Sequence, residues 1–434
     1  MGNMFDGLNR PPAGSGTSHR EEKMVSYKDI ERCRIGGADD LITVLDLGEQ
    51  DLTGVFPTTT DEQVTVGPLQ LVWSPSSGLL QLGHSYEPTE MYGDNYGYRS
   101  GLNQSMVDHL RRKVGRLEAM ADLRAGDSIL DIGSNDATLL KAYKNEGLER
   151  LGIDPTGKKF KSYYPDDVGL VADFFSAQNY WSATGKKAKI VTSVAMFYDL
   201  EDPLAFVKDV AAVLADDGLW HFEQSYMPTM LRKNSYDTVC HEHIEYYSLT
   251  VIHNLLRQAG LKIVDFELNT INGGSIAITA AHDHNKIATN QVLVDWQLEQ
   301  ERRWELDTPA PYFAFADRVK HHREDLVRLI RGLTSQGYRV LGYGASTKGN
   351  VLLQYCGLTS EDLLAIVEVN EEKFGRFTPG THIPIVSEAE AKALKPDFYL
   401  MLPWHFRDGI LKRETNMRNA GVKFIMPFPV IQIV

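Results

Sequence analysis

Ile129-Leu130-Asp131-Ile132-Gly133-Ser134-Asn135-Asp136 decides the fold, together with a second apolar run ending in an acid, Leu151-Gly152-Ile153-Asp154. An apolar strand runs into a glycine turn. A helix-forming run follows from Ala137 to Tyr143, and a second short strand closes on Asp154. This order predicts an α/β unit whose ligand, a nucleoside, lies across the carboxyl ends of parallel strands. Gly133 lets the backbone approach that ligand without a Cβ clash. Asp154 would accept hydrogen bonds from two ribose hydroxyls. No G-x-G-x-x-G is present, so pyrophosphate binding is not what the turn advertises. A nucleoside with a sulfonium and an amino acid but no phosphate, S-adenosylmethionine, fits better. The competing reading is a βαβ turn with no ligand.

The alternation continues outward. Strands are expected near 128–132, 151–153, 169–172, 189–194 and 218–223. A helix from Pro203 to Leu214 puts Phe206, Val210 and Val213 on one stripe, and another starts after Ser248 as N-cap and stops at Gly260. Lys262–Leu268 and Ser275–Ala281 face each other across Asn272-Gly273-Gly274, a closing antiparallel hairpin of methyltransferase-like kind. Upstream, Met106, Leu110, Val114 and Leu117 mark an amphipathic helix, and short apolar runs from Tyr27 to Leu82 read as a small β-rich unit. Residues 1–24 have a tail-like composition. Downstream, 286–335 reads as helices, with Phe315, Val319, His322, Leu326, Leu329 and Leu333 on a packed stripe. After Gly337 a second α/β unit begins, with a strand at Val340–Gly344, a helix at Lys348–Tyr355 and strands near 364–369, 397–402 and 423–426. The expected division is a flexible tail 1–24, a small unit 25–100, a central α/β unit 101–285 and a C-terminal α/β unit 286–434.

The 434 residues are 43% hydrophobic and 24% charged, with a formal net charge of −13, the pattern of a globular chain. An acidic surface argues against binding the phosphate backbone of nucleic acid. No apolar run is long enough to span a bilayer, and no charged-then-apolar signal pattern opens the chain, so a cytoplasmic location is expected. The three cysteines, Cys33, Cys240 and Cys356, are too scattered for a disulfide framework or a metal knuckle. No metal is expected.

Two further segments carry chemistry. Ser235–Ser248 contains Tyr236, His241, Glu242, His243 and Glu245 between the fifth strand and the next helix. A histidine there suits a general base, with a glutamate to orient it. His241 and His243 at i and i+2 on a strand would share a face, which also raises a metal site, though no third ligand is near. A solvated loop is the plain alternative. The second segment, Gly342-Tyr343-Gly344-Ala345-Ser346-Thr347-Lys348, puts hydroxyls and a cation at a helix N-terminus. It suits an anion such as diphosphate, or is a structural turn. The connector with Tyr96, Tyr98, Arg99 and Ser100 reads as an aromatic lid for a sulfonium, or as packed linker.

Together these segments resemble the three-domain C-methyltransferases of nucleotide-linked deoxysugars. The resemblance runs from about Cys33 to the C-terminus. Besides the motifs above it rests on Val44-Leu45-Asp46-Leu47-Gly48, Gly78-Leu79-Leu80-Gln81-Leu82, Glu242-His243, Gly273-Gly274-Ser275 and Thr378-Pro379-Gly380-Thr381-His382-Ile383-Pro384. It implies a class I, Rossmann-like methyltransferase domain between a small β-rich domain and a second Rossmann-like domain. It further implies His243 as general base, with Glu242, Tyr236 and Tyr96 beside it. The cofactor, S-adenosylmethionine, would be held by Tyr98, Ser100, Asp131, Gly133, Asn135, Asp154, Asp173 and Phe174. The small-molecule partner, a nucleotide sugar, would meet Asn272, Gly344, Ser346, Lys348 and His382. Methylation of oxygen or nitrogen in another small metabolite is the alternative, and a non-catalytic binding protein a further one. The resemblance departs in three places. The first domain of that family carries a zinc site of two C-x-x-C pairs, which here read Cys33-Arg34-Ile35-Gly36 and Ser74-Pro75-Ser76-Ser77, and Ser is a poor zinc ligand. The glycine expected after Asn135-Asp136 is Ala137. Ser193-Val194-Ala195-Met196-Phe197 lacks the Asn and His the family commonly places after the fourth strand.

Overall fold

A computed structural model describes residues 27–87 and 98–434. The proposed tail and Tyr96 lie outside the described residues. The chain opens with β1 (Tyr27–Asp29), β2 (Ile42–Asp51), β3 (Val66–Trp73), β4 (Leu80–Leu82) and β5 (His84–Tyr86). β2, β3 and β4 form an antiparallel sheet, and β1 pairs with β5. The helix Gln104–Met120 follows, started by Asn103, whose side chain accepts from Ser105 N, and it buries Met106, Leu110, Val114 and Leu117 as its spacing dictates.

The central sheet begins with β6 (Ser128–Ile132), β7 (Glu149–Ile153), β8 (Val168–Val171), β9 (Ala188–Val194) and β10 (Leu214–Ser225). Next, β11 (Glu245–Tyr246) leaves that sheet and pairs antiparallel with β4, adding a fourth strand to the first sheet. β12 (Leu261–Asn269) and β13 (Ser275–His282) complete the central sheet in the order β12-β13-β10-β9-β6-β7-β8. Six strands run in one direction, while β13 runs antiparallel between β10 and β12. The order reverses between β6 and β9, which opens a crevice at their carboxyl ends.

Two long helices, Gln291–Arg303 and Ala310–Ser335, lead to a third layer. The second of these stacks Tyr312 on Trp73 of the first sheet, with ring centroids 5.2 Å apart. The last sheet contains β14 (Val340–Tyr343), β15 (Ile366–Glu368), β16 (Ile385–Ser387), β17 (Phe398–Met401), β18 (Lys423–Met426) and β19 (Gln432–Ile433). Its order is β16-β15-β14-β17-β18-β19, parallel except for β19, so a second switch point lies between β14 and β17. The described residues are α/β, with two doubly wound sheets, a four-stranded antiparallel sheet and the two-stranded β1–β5 pair.

One expected element is different. Ala137–Tyr143 is not an α-helix; only Leu140–Ala142 forms a 3₁₀ turn. Asn135 and Ala137 both take the left-handed conformation, with φ of 49° and 59°, and Asp136 Oδ1 accepts from the amide and hydroxyl of Thr138. Two left-handed residues in three cannot continue a right-handed helix. The φ of Ala137 also explains why glycine suits that place.

Candidate active site

A cavity of about 640 Å³ occupies the crevice at the carboxyl ends of β6, β7, β9 and β10. That is within the range of small-molecule sites, roughly 300–1,000 Å³. Gly133 turns with φ 72°, and a Cβ there would stand 3.2 Å from Met196 Cγ across the gap. Asp131 ends β6 with Oδ1 on the Thr192 hydroxyl at 2.6 Å. Burial pushes its carboxyl up to about 7; Thr192 opposes the rise and the charge of Asp154 adds to it. Asp154 lines the cavity; its Oδ2 accepts from Asn135 N and its Oδ1 from both the amide and the hydroxyl of Thr156, so Oδ2 keeps one lone pair for a further donor. Asn135 in turn ties down the connector. Its Oδ1 accepts from Ser100 N, and its Nδ2 donates to the Tyr98 carbonyl. Tyr98, Ser100 and Phe174 line the same space.

Three residues that sequence reasoning did not single out complete this part. Glu223 is held by His109 Nε2 at 2.6 Å, Lys113 Nζ at 3.0 Å and Asn269 Nδ2 at 2.7 Å. Burial would raise its carboxyl, but His109 and Lys113 outweigh it and hold the group near 2. Gln224 lines the cavity at 1% exposure, and neither its Oε1 nor its Nε2 has a protein partner. A buried amide without partners is costly, so the cavity is built for a polar ligand. Its sequence signal was an acid and an amide, Glu223-Gln224, at the carboxyl end of a strand whose middle, Leu219-Trp220-His221-Phe222, is mostly apolar. Cys240 is buried at the wall, and burial raises its thiol well above the usual range.

His243 reaches the cavity from the other side. A turn closed by His243 N on Cys240 O brings it there, and its ring packs on Tyr198 with centroids 4.3 Å apart. Nδ1 lies 3.1 Å from the Thr238 carbonyl. That contact makes Nδ1 the N–H donor and leaves Nε2 free to accept. The ring lies deep in the molecule with part of its surface on the cavity. Burial, and then the nearby Lys348 ammonium, push it down to about 3, so it is neutral at physiological pH. Glu242, Asn272 and Lys348 line the same end. Lys348 Nζ donates to the Asn272 carbonyl at 2.9 Å, linking the third layer to the β12–β13 hairpin.

Several expectations need correction. Tyr236 does not reach the cavity; its hydroxyl meets His322 Nδ1 at 3.0 Å and Cys356 Sγ in the core under the third layer. His241 does not share a face with His243, because the turn rotates it away onto Gly67 O and the edge of Tyr86. The Thr238 carbonyl, rather than Glu242, orients His243. Asp173 does not line the cavity; it accepts from Phe174 N and faces Asn179. Gly344 and Ser346 form no anion cradle. Gly344 N is spent on Val367 O and Ala345 N on the Glu368 carboxylate, while Ser346 caps its own helix on Gly349 N. His382 is an exposed residue of the Thr378–Pro384 turn, with φ 51°, and does not line the cavity.

The first sheet shows what became of the zinc motif. Cys33 Sγ meets Ser77 Oγ at 3.1 Å, Ser74 Oγ donates to Asp40 Oδ1 at 2.7 Å, and Ser76 N donates to Asp40 Oδ2 at 2.7 Å. One thiol among hydroxyls and a carboxylate does not fit a structural zinc site. Among the described residues, no group of three or more His, Cys, Asp or Glu side chains is placed to hold a metal ion. Among them, too, no helix is long and apolar enough to cross a membrane.

Comparison with known proteins agrees with this layout. Family models match in three consecutive stretches, described as "Putative zinc binding domain" over 33–92, "Methyltransferase domain" over 104–265 and "C-methyltransferase C-terminal domain" over 270–429. The C-methyltransferase NovU of Streptomyces niveus is 30% identical over 409 residues, covering 93% of this chain and 96% of that protein. A ubiquinone biosynthesis O-methyltransferase of Actinobacillus pleuropneumoniae is 25% identical over 129 residues, 28% of this chain and 52% of that one. Among solved structures, the magnesium protoporphyrin IX methyltransferase of Synechocystis PCC 6803 with bound S-adenosylmethionine aligns at 13% identity and a TM-score of 0.30, covering 41% of this chain and 79% of that one. The match along nearly the whole chain, over a crevice whose carboxylates and unpartnered amide suit the methyl donor, places this protein in the three-domain family of S-adenosylmethionine-dependent C-methyltransferases.

Proposed function

We propose that the enzyme methylates the carbon beside the ketone of a nucleotide-linked keto-deoxysugar, in the cytoplasm. One observation carries the reading: a neutral imidazole, His243, is fixed by Thr238 with Nε2 free to accept, on the same cavity as Asp131 and Asp154. When bound, S-adenosylmethionine supplies an electrophilic methyl group. Asp154 holds the ribose hydroxyls, Asp131 and Gln224 face the amino acid end, and Phe174, Tyr98 and Ser100 cover the mouth. His243 takes the proton from the carbon beside the ketone. Such a proton is far less acidic than imidazolium, whose ordinary pKa is about 6.5, so the step needs charge stabilisation on the enolate oxygen. The protein otherwise contributes alignment. The same reading divides the chain at 25–100, 101–285 and 286–434, with the sugar nucleotide between the last two units.

The test is a panel of nucleoside-diphosphate keto-deoxysugars incubated with methyl-labelled S-adenosylmethionine, with products resolved by mass spectrometry and NMR. Label on the carbon next to the ketone is expected. Label on oxygen or nitrogen, or on no member of the panel, would overturn the reading.

A further inference from the structure

The cavity has a marked polarity. Asp131 and Asp154 stand at the strand ends, and Glu223 is already paired with the Lys113 ammonium and hydrogen-bonded to His109. Among the described lining residues, Lys348 is the single lysine or arginine, and it stands at the His243 end. Its position is unfavourable for an ordinary surface cation. It lies in the first turn of the helix Thr347–Cys356, where the helix dipole opposes positive charge. Burial lowers its pKa, and Asp237 only partly restores it. Among the described residues its one hydrogen bond goes to the Asn272 carbonyl, and no carboxylate of theirs comes within 4.0 Å of Nζ. Two N–H bonds remain for a ligand.

The turn that carries Lys348 is poorly made for diphosphate. Its Gly344 and Ala345 amides are spent inside the third layer, and the carboxylate on Ala345 N, Glu368, would repel a second anion there. At the other end of the lysine, His243 is a weak base that could not by itself draw a proton from carbon.

We propose that Lys348 is a catalytic residue whose ammonium stabilises the enolate oxygen as His243 removes the proton. This rests on the C-methylation reading above. In the step, the C–H bond breaks and its electron pair forms the C=C bond. The ketone π pair moves onto oxygen, beside Lys348, and the proton goes to His243 Nε2. Buried beside the reacting group, a fixed cation acts far more strongly than in water. Before substrate enters, the same charge helps keep His243 unprotonated.

The experiment reads that step without methyl transfer. Thymidine- and uridine-diphosphate 4-keto-6-deoxyhexoses are incubated in D₂O with enzyme and S-adenosylhomocysteine, and deuterium beside the ketone is followed by NMR. Calorimetry measures affinity for the free nucleoside diphosphates. Wild-type protein should wash deuterium in. Lys348→Met should lose about 10²–10³-fold in exchange rate, the scale of removing one oxyanion donor, with nucleoside diphosphate affinity unchanged within about twofold. Exchange near the wild-type rate in Lys348→Met would overturn the assignment and leave C-methylation standing. Loss of nucleoside diphosphate affinity with exchange preserved at saturation would make the lysine a phosphate anchor and overturn it too. Absence of exchange in wild type on every sugar would overturn both readings. Lys348→Ala gives a second line. Methylammonium, but not tetramethylammonium, should restore exchange in this variant, and failure to restore it in a folded protein counts against the proposal.

Discussion

Two regions of this chain descend from ligand-binding layouts, and they have ended differently. In the first sheet, the turns at Cys33 and Ser74–Ser77 close on each other. Ser74 and Ser76 satisfy Asp40, Cys33 meets Ser77, and Leu79 N donates to Ser77 Oγ. In the central crevice, the Gln224 amide stays buried with both polar atoms unpartnered, and Asp131 is held near 7 by burial. Turns that no longer carry a ligand set complete their own hydrogen bonds. A region with one keeps them open at a cost in stability, because an unsatisfied buried polar group is expensive.

The contrast breaks first at the base. His243→Asn should lose about 10²–10⁴-fold in turnover while calorimetry shows S-adenosylmethionine affinity unchanged. Because His243 is held near 3, the wild-type rate should show no acid limb between about pH 5 and 7. The base is competent above its pKa and would fail only as pH falls through that low value. A limb near pH 6.5 would mean the imidazole titrates freely. Next comes Asp154→Ala. The loss of charge-assisted hydrogen bonds to ribose should weaken cofactor binding by about 1–3 kcal/mol. Unchanged affinity in a folded variant removes Asp154 from that role.

Gln224→Met sharpens the comparison most directly. It should raise the melting temperature, by an amount equivalent to about 1–3 kcal/mol, through removal of an unsatisfied buried amide, while lowering kcat/KM. Loss of both stability and activity would show that the amide has protein work. Asp40→Ala probes the other region and should destabilise by about 1–2 kcal/mol. Partial burial works to raise the Asp40 carboxyl, but the Ser74 hydroxyl and Ser76 outweigh it and hold the group below its ordinary value. Its stabilisation is therefore present above about pH 4 and is lost as pH falls through the folded value, so the deficit of the variant should close in acid. Elemental analysis of the wild type finding one zinc per chain would overturn the closed-turn account. Smallest of all, Ala137→Gly should stabilise by at most about 1 kcal/mol in thermal melts, relieving a left-handed alanine against the entropy cost of glycine.

Most strands of the central and last sheets were legible because apolar runs and punctuating Gly and Ser residues mark them locally. So were Asp131, Gly133 and Asn135 at the end of β6 and Asp154 just past the end of β7. The errors share a physical origin in turns and distant partners. Strand alternation would put His241 beside His243, but the Cys240–His243 turn rotates one onto Tyr86 and the other into the cavity. Tyr236 has the right chemistry, yet His322, 86 residues away, takes its hydroxyl. The Gly344 turn looked open because Glu368, which occupies its amide, comes one strand later. Glu223 was missed because its partners, His109 and Lys113, lie on a helix read for its apolar stripe alone.

The strand β11 begins two residues after His243 and belongs to the first sheet, not to the central one. Inheritance and engineering of this enzyme are therefore not modular in the way its three family stretches imply. Transplanting the central stretch alone would carry the donor half of the crevice and leave His243 on an untethered loop. Exchange of the first sheet between relatives would shift His243 without replacing Asp131, Gly133 or Asp154, a route by which the shape of the crevice can drift from afar.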